Sequence, residues 1–243
     1  MIYTAILCFD GVVGRLPMPA DSAAMRRVEK TENAELRHHR AMAYALLELA
    51  YCDIYGAPMP NLAFCDDGKP RLVGSRVKIS VSHTGGVCAV SFSDCDVGVD
   101  VQSYREASGK ERVLQRFVND NLQKAIKSTK LPEVSLRFYK ALESGELVPA
   151  ERGEAIRHSG GSAPKTDSLG DVGVDFDIGY AGEAGAPCAA LWSALEALLK
   201  CRHGFSELSR AAELAAAAQI KTFYLPNAAL SVAILAKHKS NTF

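Results

Sequence analysis

The segment from Ala189 to Gly204 places an aromatic, an acidic and a basic side chain at intervals of four residues. Trp192, Glu196 and Lys200 would share one face of a helix that otherwise carries alanine and leucine. A carboxylate and an ammonium group one turn apart can serve as a metal ligand or general base and as a clamp on phosphate charge. The same spacing suits an exposed ion pair worth roughly a few tenths of a kcal/mol, so the helix alone does not decide its role.

A second group of polar residues interrupts the most strand-like part of the chain. Ser82 and His83 precede Gly85 and Gly86, which supply the positive φ that a tight hairpin turn requires. Asp100 lies 17 residues after His83. Taken singly, His83 also suits a hydrogen-bonded turn residue and Asp100 a charge on an edge strand. The order in which these residues and the helix motif occur along the chain is what suggests a catalytic role.

The motif DVGVD occurs twice in the chain, at residues 96–100 and 171–175. The second copy continues from Asp175 to Asp177, a pair of carboxylates that could bind a cation. Only the first copy, however, follows a clean run of predicted strands, whereas the second is flanked by glycine in a segment with little periodicity. We therefore expect Asp100 to belong to the site and the second copy to form a solvated loop.

The elements of the N-terminal half must position these residues. MIYTAILCFDG predicts a first strand, and the apolar spacing from Thr31 to about Ala50 indicates a helix. CDDGKPRL predicts a turn, with Gly68 and Pro70 as its turn residues. KISVS, VCAVSFS and VGVDV then predict an antiparallel meander. Side chains alternate along the third strand, so we expect Asp100 to project toward the site instead of packing with the valines.

The C-terminal half predicts mainly helices. ERVLQRFVNDNLQKAIK indicates a helix, and Gly145–Pro187, rich in Gly, Ser, Asp and Glu, indicates a loop or partly disordered flap. Two helices follow, one that begins at Ala189 and one over Ser206 to about Ala218, and IKTFYL and AALSVAILA form a closing hairpin that turns at Pro226. Short strands mixed with long helices predict the α+β class.

Composition limits the classes of function. The chain has 243 residues, 48% of them hydrophobic, and its 28 basic and 28 acidic side chains cancel, which argues against nucleic acid or an anionic membrane as partner. Its seven cysteines include no CxxC pair, which argues against a zinc site and suits buried thiols in a reducing compartment. The N-terminus lacks a basic leader, and no run approaches the roughly 18 apolar residues of a membrane span. We expect a soluble, cytoplasmic protein.

Four short motifs occur in an order that is more specific than any one of them. They are Gly68-Lys69-Pro70, Ser82-His83-Thr84, Gly98-Val99-Asp100 and the pattern WxxxExxxK from Trp192. In this order the motifs resemble the surfactin-synthetase-activating class of 4'-phosphopantetheinyl transferases, over about residues 31–101 and 191–208. The resemblance implies transfer of phosphopantetheine from coenzyme A to a serine of an acyl or peptidyl carrier protein, with Mg²⁺ and release of 3',5'-ADP. It also implies a monomer built as a pseudo-dimer of two α+β lobes, with the active site in the cleft.

The resemblance assigns the coenzyme A contacts to basic and polar residues of the N-terminal half. Lys69, Ser82 and His83 would contact phosphates of coenzyme A. Arg37 or Arg40, on the basic face of the first predicted helix, would approach the 3'-phosphate. A neutral chain can bind a highly charged nucleotide in this way, because only the pocket needs to be basic.

The resemblance assigns the metal and the chemistry to the third strand and the WxxxExxxK helix. Asp100 and Glu196 would hold Mg²⁺, with Gln102 at the position where the family usually has a third carboxylate. Glu196, directly or through water, would also deprotonate the acceptor serine. Lys200 would neutralise charge that develops on the leaving 3',5'-ADP.

The chain departs from the family pattern at three places. Gln102 keeps an oxygen but lacks the charge of the usual glutamate, which predicts weaker metal binding. Leu195 stands where the family has a lysine, which predicts the loss of one cation near the phosphates or the metal. The span before Trp192 is long, so we expect lobes of residues 1–103 and 104–243 with a flexible insertion at about 132–187.

Two other functions remain open on the sequence alone. One is a protein that binds coenzyme A or a nucleotide without catalysing transfer, which the changes at Gln102 and Leu195 suggest. The other is a metal-dependent phosphohydrolase that uses His83 and the aspartates, although the chain has no compact His/Asp metal motif. Binding without transfer would favour the first alternative, and release of inorganic phosphate would favour the second.

Overall fold

The structure is a computed structural model that describes residues 1–9, 17–107, 133–151, 186–202, 214, 218–225 and 228–235. The strands in these residues are β1 (Ile2–Cys8), β2 (Leu62–Phe64), β3 (Pro70–Leu72), β4 (Lys78–Thr84), β5 (Val87–Ser93), β6 (Val97–Ser103), β7 (Val134–Ala141), β8 (Leu147–Ala150), β9 (Ala218–Tyr224) and β10 (Ala228–Leu235). The helices are α1 (Ser22–Glu29), α2 (Ala34–Tyr55), α3 (Tyr104–Ala107) and α4 (Ala186–Arg202). The architecture is mixed, with helices packed on several sheets, and agrees with the predicted α+β class.

The larger sheet has five strands in the order β4-β5-β1-β7-β8. β1 lies in the middle, antiparallel to β5 and parallel to β7. Helix α2 covers one face, where its buried Met42, Leu46 and Leu47 join a core with Ala5 and Leu7 of β1. The helix begins after Asn33, whose side chain accepts a hydrogen bond from the backbone N–H of Leu36 at 2.8 Å, and it extends to Tyr55, five residues past the predicted end.

A second sheet has three strands in the order β6-β10-β9, and β2 and β3 form a separate two-stranded sheet. Strands β9 and β10 form the predicted closing hairpin. The predicted three-strand meander is correct for β4 and β5 but wrong for β6, because β6 pairs along its backbone with β10 instead of β5. On its other edge, β6 donates hydrogen bonds from the N–H groups of Val99 and Val101 to the hydroxyl groups of Ser80 and Ser82 on β4. Side chains therefore take the place of a backbone ladder between β4 and β6.

The prediction of a flexible insertion at about 132–187 is wrong for the first part of this range. The prediction that a loop begins at Gly145 is wrong for the same reason. Strands β7 and β8 occupy residues 134–150 and belong to the five-stranded sheet, with Tyr139 fully buried in the core. Their connecting turn uses Gly145 at φ 85°, a conformation that glycine adopts freely. Residues 152–185 lie outside the described residues, as do the helix predicted from ERVLQRFVNDNLQKAIK and all but residue 214 and residue 218 of the helix predicted from Ser206.

The division into lobes at residue 103 stays a prediction, but neither sheet follows it. The five-stranded sheet joins β1, β4 and β5 to β7 and β8, and the three-stranded sheet joins β6 to β9 and β10. In the part of the chain that the structure describes, no helix has both the length and the hydropathy needed to cross a bilayer.

Helix α4 packs on the three-stranded sheet at unusually short range. A Cβ atom added to Gly98 of β6 would lie 1.8 Å from the carbonyl oxygen of Ala197 and 2.7 Å from the backbone nitrogen of Cys201. Only glycine therefore allows this approach. The Ser193 hydroxyl donates to the Asp100 carbonyl oxygen at 2.9 Å, which fixes the helix against the strand. The close packing brings the Glu196 and Lys200 face of α4 next to Asp100.

Candidate functional site

A cavity of about 200 Å³ lies where α1, α2, β3, β4, β6 and α4 meet. Eight of the nine site residues predicted from the sequence line it: Arg40, Lys69, Ser82, His83, Asp100, Gln102, Glu196 and Lys200. They come from α2, the turn before β3, β4, β6 and α4, which are far apart in sequence. The fold therefore brings these motif residues together around one cavity.

Arg37 is the predicted site residue that does not line the cavity. Its Nε atom donates to the carbonyl oxygen of Thr31 at 2.9 Å, and its Nη2 atom donates to that of Glu32 at 3.1 Å. The side chain is thus used to hold the connection between α1 and α2. Arg40 has the other orientation, and its Nη1 atom donates to the Thr31 hydroxyl at 2.8 Å while the side chain lines the cavity.

One side of the cavity, which we call the carboxylate wall, consists of Asp100, Glu196 and Lys200. The Lys200 Nζ atom lies 2.6 Å from Asp100 Oδ1 and 3.9 Å from Glu196 Oε2. Oε1 of Glu196 accepts a hydrogen bond from the Trp192 indole N–H at 2.5 Å. The predicted helix face is therefore confirmed, and the tryptophan orients the glutamate. The three charged groups together leave one net negative charge when both carboxylates are ionised.

Asp100 is more deeply buried than the sequence predicted, with 2% of its surface exposed. It does project away from the valines, as expected, but α4 covers it. Burial raises the pKa of Asp100 to about 7, and Glu196 acts in the same direction, against the opposing effects of Lys200 and Ser82. Its Oδ2 atom is buried without a hydrogen-bond partner, an arrangement that is costly unless a ligand completes it.

A second set of lining residues, which we call the cationic wall, consists of Arg27, Arg40 and Lys69. Lys69 donates to the carbonyl oxygen of Cys201 near the C-terminal end of α4. Burial lowers the pKa of Lys69. Arg27 stacks on the ring of Phe64 with 4.5 Å between the guanidinium carbon and the ring centroid. These contacts hold the cations without neutralising them, because a carbonyl, a hydroxyl and a ring are uncharged.

His83 stands at the end of β4, between the two walls. Burial lowers its pKa to about 4, and the positive charges of Lys200, His39 and Arg40 act in the same direction. The imidazole is therefore neutral at pH 7 and can offer a neutral hydrogen bond but no charge. Its ring centroid lies 6.1 Å from that of His39 on α2.

Arg27 was missed by the sequence interpretation because α1 was missed. No element is predicted from the sequence between the first strand and Thr31, yet Asp21 caps α1 by accepting hydrogen bonds from the N–H groups of Ala23 and Ala24 at 2.8 and 2.9 Å. An aspartate before SAAMRRVE is the signal that could have predicted this helix. The structural hydrogen bond between Ser80 and β6 was missed as well, because nothing in the sequence shows that β6 leaves the sheet of β4.

The position of Leu195 contradicts one expectation about the departures from the family pattern. Its side chain is fully buried in the core beneath α4, and it is not among the residues that line the cavity. The expected loss of a cation from the site at this position is therefore wrong. A lysine there would enter an apolar core at high cost, so the leucine follows from how this helix packs.

The donor set of the cavity fits a hard cation such as Mg²⁺ in chemistry. Asp100, whose buried Oδ2 atom has no hydrogen-bond partner, and Glu196 line one cavity with Gln102, and oxygen ligands completed by water are what Mg²⁺ prefers. Between described residues, no cluster of three or more His, Cys, Asp or Glu side chains has metal-binding geometry.

Comparison of the chain with models of known protein families found no match. Comparison with curated proteins found none either. The functional interpretation therefore depends on the motif resemblance together with the geometry of the cavity.

Proposed function

We propose that this protein transfers 4'-phosphopantetheine from coenzyme A to a serine of an apo carrier protein. The observation that carries the proposal is the convergence of the motif residues. Lys69, Asp100 and Glu196 were selected by the order of short motifs, and each lines the same cavity. Motif matches that arose by chance would have no reason to meet in space.

The cationic wall is suited to the phosphates of coenzyme A. Arg27, Arg40 and Lys69 come from three different elements and can meet an extended polyanion at several points. His83 adds a neutral donor or acceptor beside them. The nucleotide would then lie with its pyrophosphate toward the carboxylate wall.

The reaction forms one P–O bond and breaks another. The acceptor serine oxygen attacks the pyrophosphate phosphorus that carries pantetheine, and the bond from this phosphorus to the bridging oxygen breaks to release 3',5'-ADP. Glu196, oriented by Trp192, takes the proton of the serine hydroxyl at its Oε2 atom. Lys200 is held within hydrogen-bond distance of the site's carboxylate and can neutralise charge on the leaving group.

Asp100, Glu196 and Gln102 are the residues that would hold Mg²⁺. The bound ion would supply charge stabilisation at the pyrophosphate oxygens. Asp100 contributes a carboxylate oxygen that is already desolvated and unpartnered. Because Gln102 is uncharged, the site has two carboxylates where three would bind a divalent ion more tightly.

Several finer points belong to the same proposal. The chain would act as a monomer whose lobes, residues 1–103 and 104–243, form a pseudo-dimer around the cleft. Its partners would be coenzyme A and an acyl or peptidyl carrier protein, in the cytoplasm. The closing hairpin and α4 would then belong to the lobe that supplies the base.

The direct test is incubation with an apo carrier protein, coenzyme A and Mg²⁺, followed by mass spectrometry of the carrier. We expect the carrier to gain the mass of one phosphopantetheine arm, and the gain to disappear with EDTA or when the acceptor serine is replaced by alanine. Unmodified carrier after trials with acyl and peptidyl carriers would refute the transfer reaction.

A second candidate is a protein that binds coenzyme A without transfer. It is favoured by the ion pair that Lys200 makes with Asp100, because the ammonium group already occupies one oxygen of the expected metal ligand. Calorimetry distinguishes the two candidates. Binding of coenzyme A that does not change with Mg²⁺, together with unmodified carriers, would support the binding protein.

A further inference from the structure

Ser82 holds a position in the structure that differs from the phosphate contact implied by the family resemblance. Its hydroxyl donates a hydrogen bond to Asp100 Oδ1 at 2.8 Å. It accepts one from the N–H of Val101 at 3.2 Å and another from the Lys200 Nζ atom at 3.1 Å. A serine hydroxyl has one hydrogen to donate and two lone pairs to accept. All three are in use.

This arrangement leaves the Ser82 hydroxyl with no capacity for a phosphate oxygen. The residue is 5% exposed, so it is enclosed by its partners. To contact a phosphate, the hydroxyl would have to withdraw its only hydrogen from Asp100, which would strip a buried carboxylate of a stabilising donor. The neighbouring Lys69 and His83 meet no such restriction.

Ser82 acts on only one of the two carboxylate oxygens of Asp100. Both Ser82 and Lys200 contact the Oδ1 atom of Asp100, while Oδ2 has no partner. Two donors on one oxygen fix the rotation of the carboxylate. They thereby keep the other oxygen, which is the one left for a ligand, in a single orientation.

We infer that Ser82 is a positioning residue, which fixes Asp100 and Lys200 relative to each other so that Asp100 Oδ2 stays available for a divalent cation. The consequence of this role for catalysis rests on the proposed function. The geometric claim, that one hydroxyl fixes two charged side chains, does not depend on that function.

Ser80 provides a matched control on the same strand. Its hydroxyl accepts a hydrogen bond from the N–H of Val99 at 3.0 Å, just as Ser82 accepts from Val101. Both serines are buried and both link β4 to the edge of β6. The structure gives the Ser80 hydroxyl no contact with Asp100 or Lys200. Replacing either serine by alanine therefore leaves one β6 N–H group without its acceptor, and only S82A also disturbs the charged pair.

The first experiment is a crystal structure of each variant, S82A and S80A. In S82A we expect the Asp100 carboxylate to rotate or the Lys200 Nζ to Asp100 Oδ1 distance to exceed about 3.5 Å, the limit of a hydrogen bond. In S80A the 2.6 Å contact should remain. If S82A does not fold, Ser82→Cys keeps a weak donor and acceptor in the same place and should loosen the pair in the same direction. An unchanged Asp100–Lys200 pair in the Ser82 variant, or an equal change in S80A, would overturn the inference.

The second experiment separates positioning from phosphate contact by titrating two ligands one at a time. Mg²⁺ alone should bind to S82A about tenfold or more weakly than to the original chain, as for other residues that orient a ligand, and to S80A within about twofold. With 3',5'-ADP in EDTA, both variants should bind as the original chain does. Weaker 3',5'-ADP binding by S82A with unchanged Mg²⁺ binding would instead assign Ser82 to the phosphates.

Steady-state kinetics adds a third measurement, and a merely structural role would not give the result expected from it. S82A should lower kcat about tenfold or more and leave KM for coenzyme A nearly unchanged. If the original chain transfers nothing and binds no Mg²⁺, the proposed function has failed. The crystal structures of S82A and S80A still decide whether Ser82 fixes the pair.

Discussion

The two walls of the cavity carry charge in different ways. On the cationic wall, Arg40 and Lys69 donate to a hydroxyl and a backbone carbonyl, which hold the side chains without cancelling their charge. On the carboxylate wall, Lys200 lies between Asp100 and Glu196 and cancels much of theirs. The first arrangement suits an anion that arrives from solvent. The second suits a charge that changes during a reaction, because its members already compensate one another.

The largest expected effect is at Asp100. Asp100→Asn keeps the shape of the side chain and removes its charge, so the carboxylate wall loses a metal ligand while the cationic wall is untouched. We expect kcat for transfer to fall about 10²–10³-fold, as when a single charged group is removed from such a site. The affinity for 3',5'-ADP in EDTA should not fall, because the substitution removes a negative charge from the cavity. Carrier mass analysis and calorimetry measure the two quantities.

The matched control for Asp100 is Asp175, which ends the second copy of the motif and lies outside the described residues. Asp175→Asn should retain most of the transfer activity. If this variant is the inactive one and Asp100→Asn is active, the metal strand has been assigned to the wrong copy.

The next largest effect is expected where the carboxylate wall is assembled. Gly98→Ala would put a methyl group 1.8 Å from the Ala197 carbonyl oxygen, and helix α4 would have to move away from β6. We expect a loss of about 3 kcal/mol in the free energy of unfolding, at the upper end for overpacking, because the obstacle is backbone. Urea titration followed by circular dichroism measures it.

Gly85 is the control for this change, since a Cβ atom added there meets nothing within 4 Å. The positive φ expected at Gly85 is wrong, because only Gly86 of the pair has one, at 79°. Gly85→Ala should shift the free energy of unfolding by less than about 0.5 kcal/mol. Equal effects of the two substitutions would mean that the close approach of α4 is not what requires glycine at position 98.

Lys69 tests the cationic wall. Lys69→Met keeps the aliphatic part of the side chain and removes the ammonium group, which should weaken 3',5'-ADP binding about tenfold to a hundredfold. Mg²⁺ affinity should not change, since this residue has no part in the carboxylate wall. Arg71→Met, at an exposed position of the strand β3 that follows Lys69, is the control and should change neither. Loss of Mg²⁺ binding in Lys69→Met would show that the two walls are not separate.

The order of the motifs predicted which residues line the cavity better than it predicted how the strands and helices pack around them. Helical spacing was enough to place Glu196 and Lys200 on one face, and strand alternation was enough to turn Asp100 away from the valines. Both are local properties, set by residues close in sequence. The pairing of β6 with β10 joins residues about 130 apart and was therefore not readable from the DVGVD motif.

The parts that were missed are those set by long-range contacts. The burial of Asp100 depends on α4, and the position of Leu195 in the core depends on which helix face meets the sheet. The strands β7 and β8 were taken for an insertion because their half-buried alternation is weak beside a glycine-rich segment. Their place next to β1 is fixed by pairing that no local pattern reveals.

His83 and Asp100 should also differ in how pH affects stability in EDTA. Burial holds the pKa of His83 at about 4, below its ordinary value of 6.5, so the unfolded chain takes up a proton first and His83 costs stability as pH falls through 6.5 toward 4. Burial raises the pKa of Asp100 to about 7 from 3.8, so the folded chain takes up a proton first and Asp100 adds stability as pH falls through 7 toward 4.

Two variants separate these opposite contributions. Between pH 7.5 and pH 5, His83→Gln should lose less stability than the original chain, and Asp100→Asn should lose more. Urea midpoints at the two pH values provide the measurement. Shifts of the same sign in both variants would contradict the assignment of opposite pKa changes to the two residues.

The smallest expected effect is at Gln102, where a charge can be returned to the carboxylate wall. Gln102→Glu would give the cavity a third carboxylate beside Asp100 and Glu196, and a higher ligand charge tightens the binding of divalent cations. We expect Mg²⁺ affinity to rise several-fold, by less than about tenfold, and metal-free stability to fall slightly because like charges are brought together. Gln219→Glu, on β9 and away from the cavity lining, makes the same chemical change as a control. Unchanged Mg²⁺ affinity in Gln102→Glu would mean that position 102 does not face the cation, and the metal would then be held by Asp100 and Glu196 with water alone.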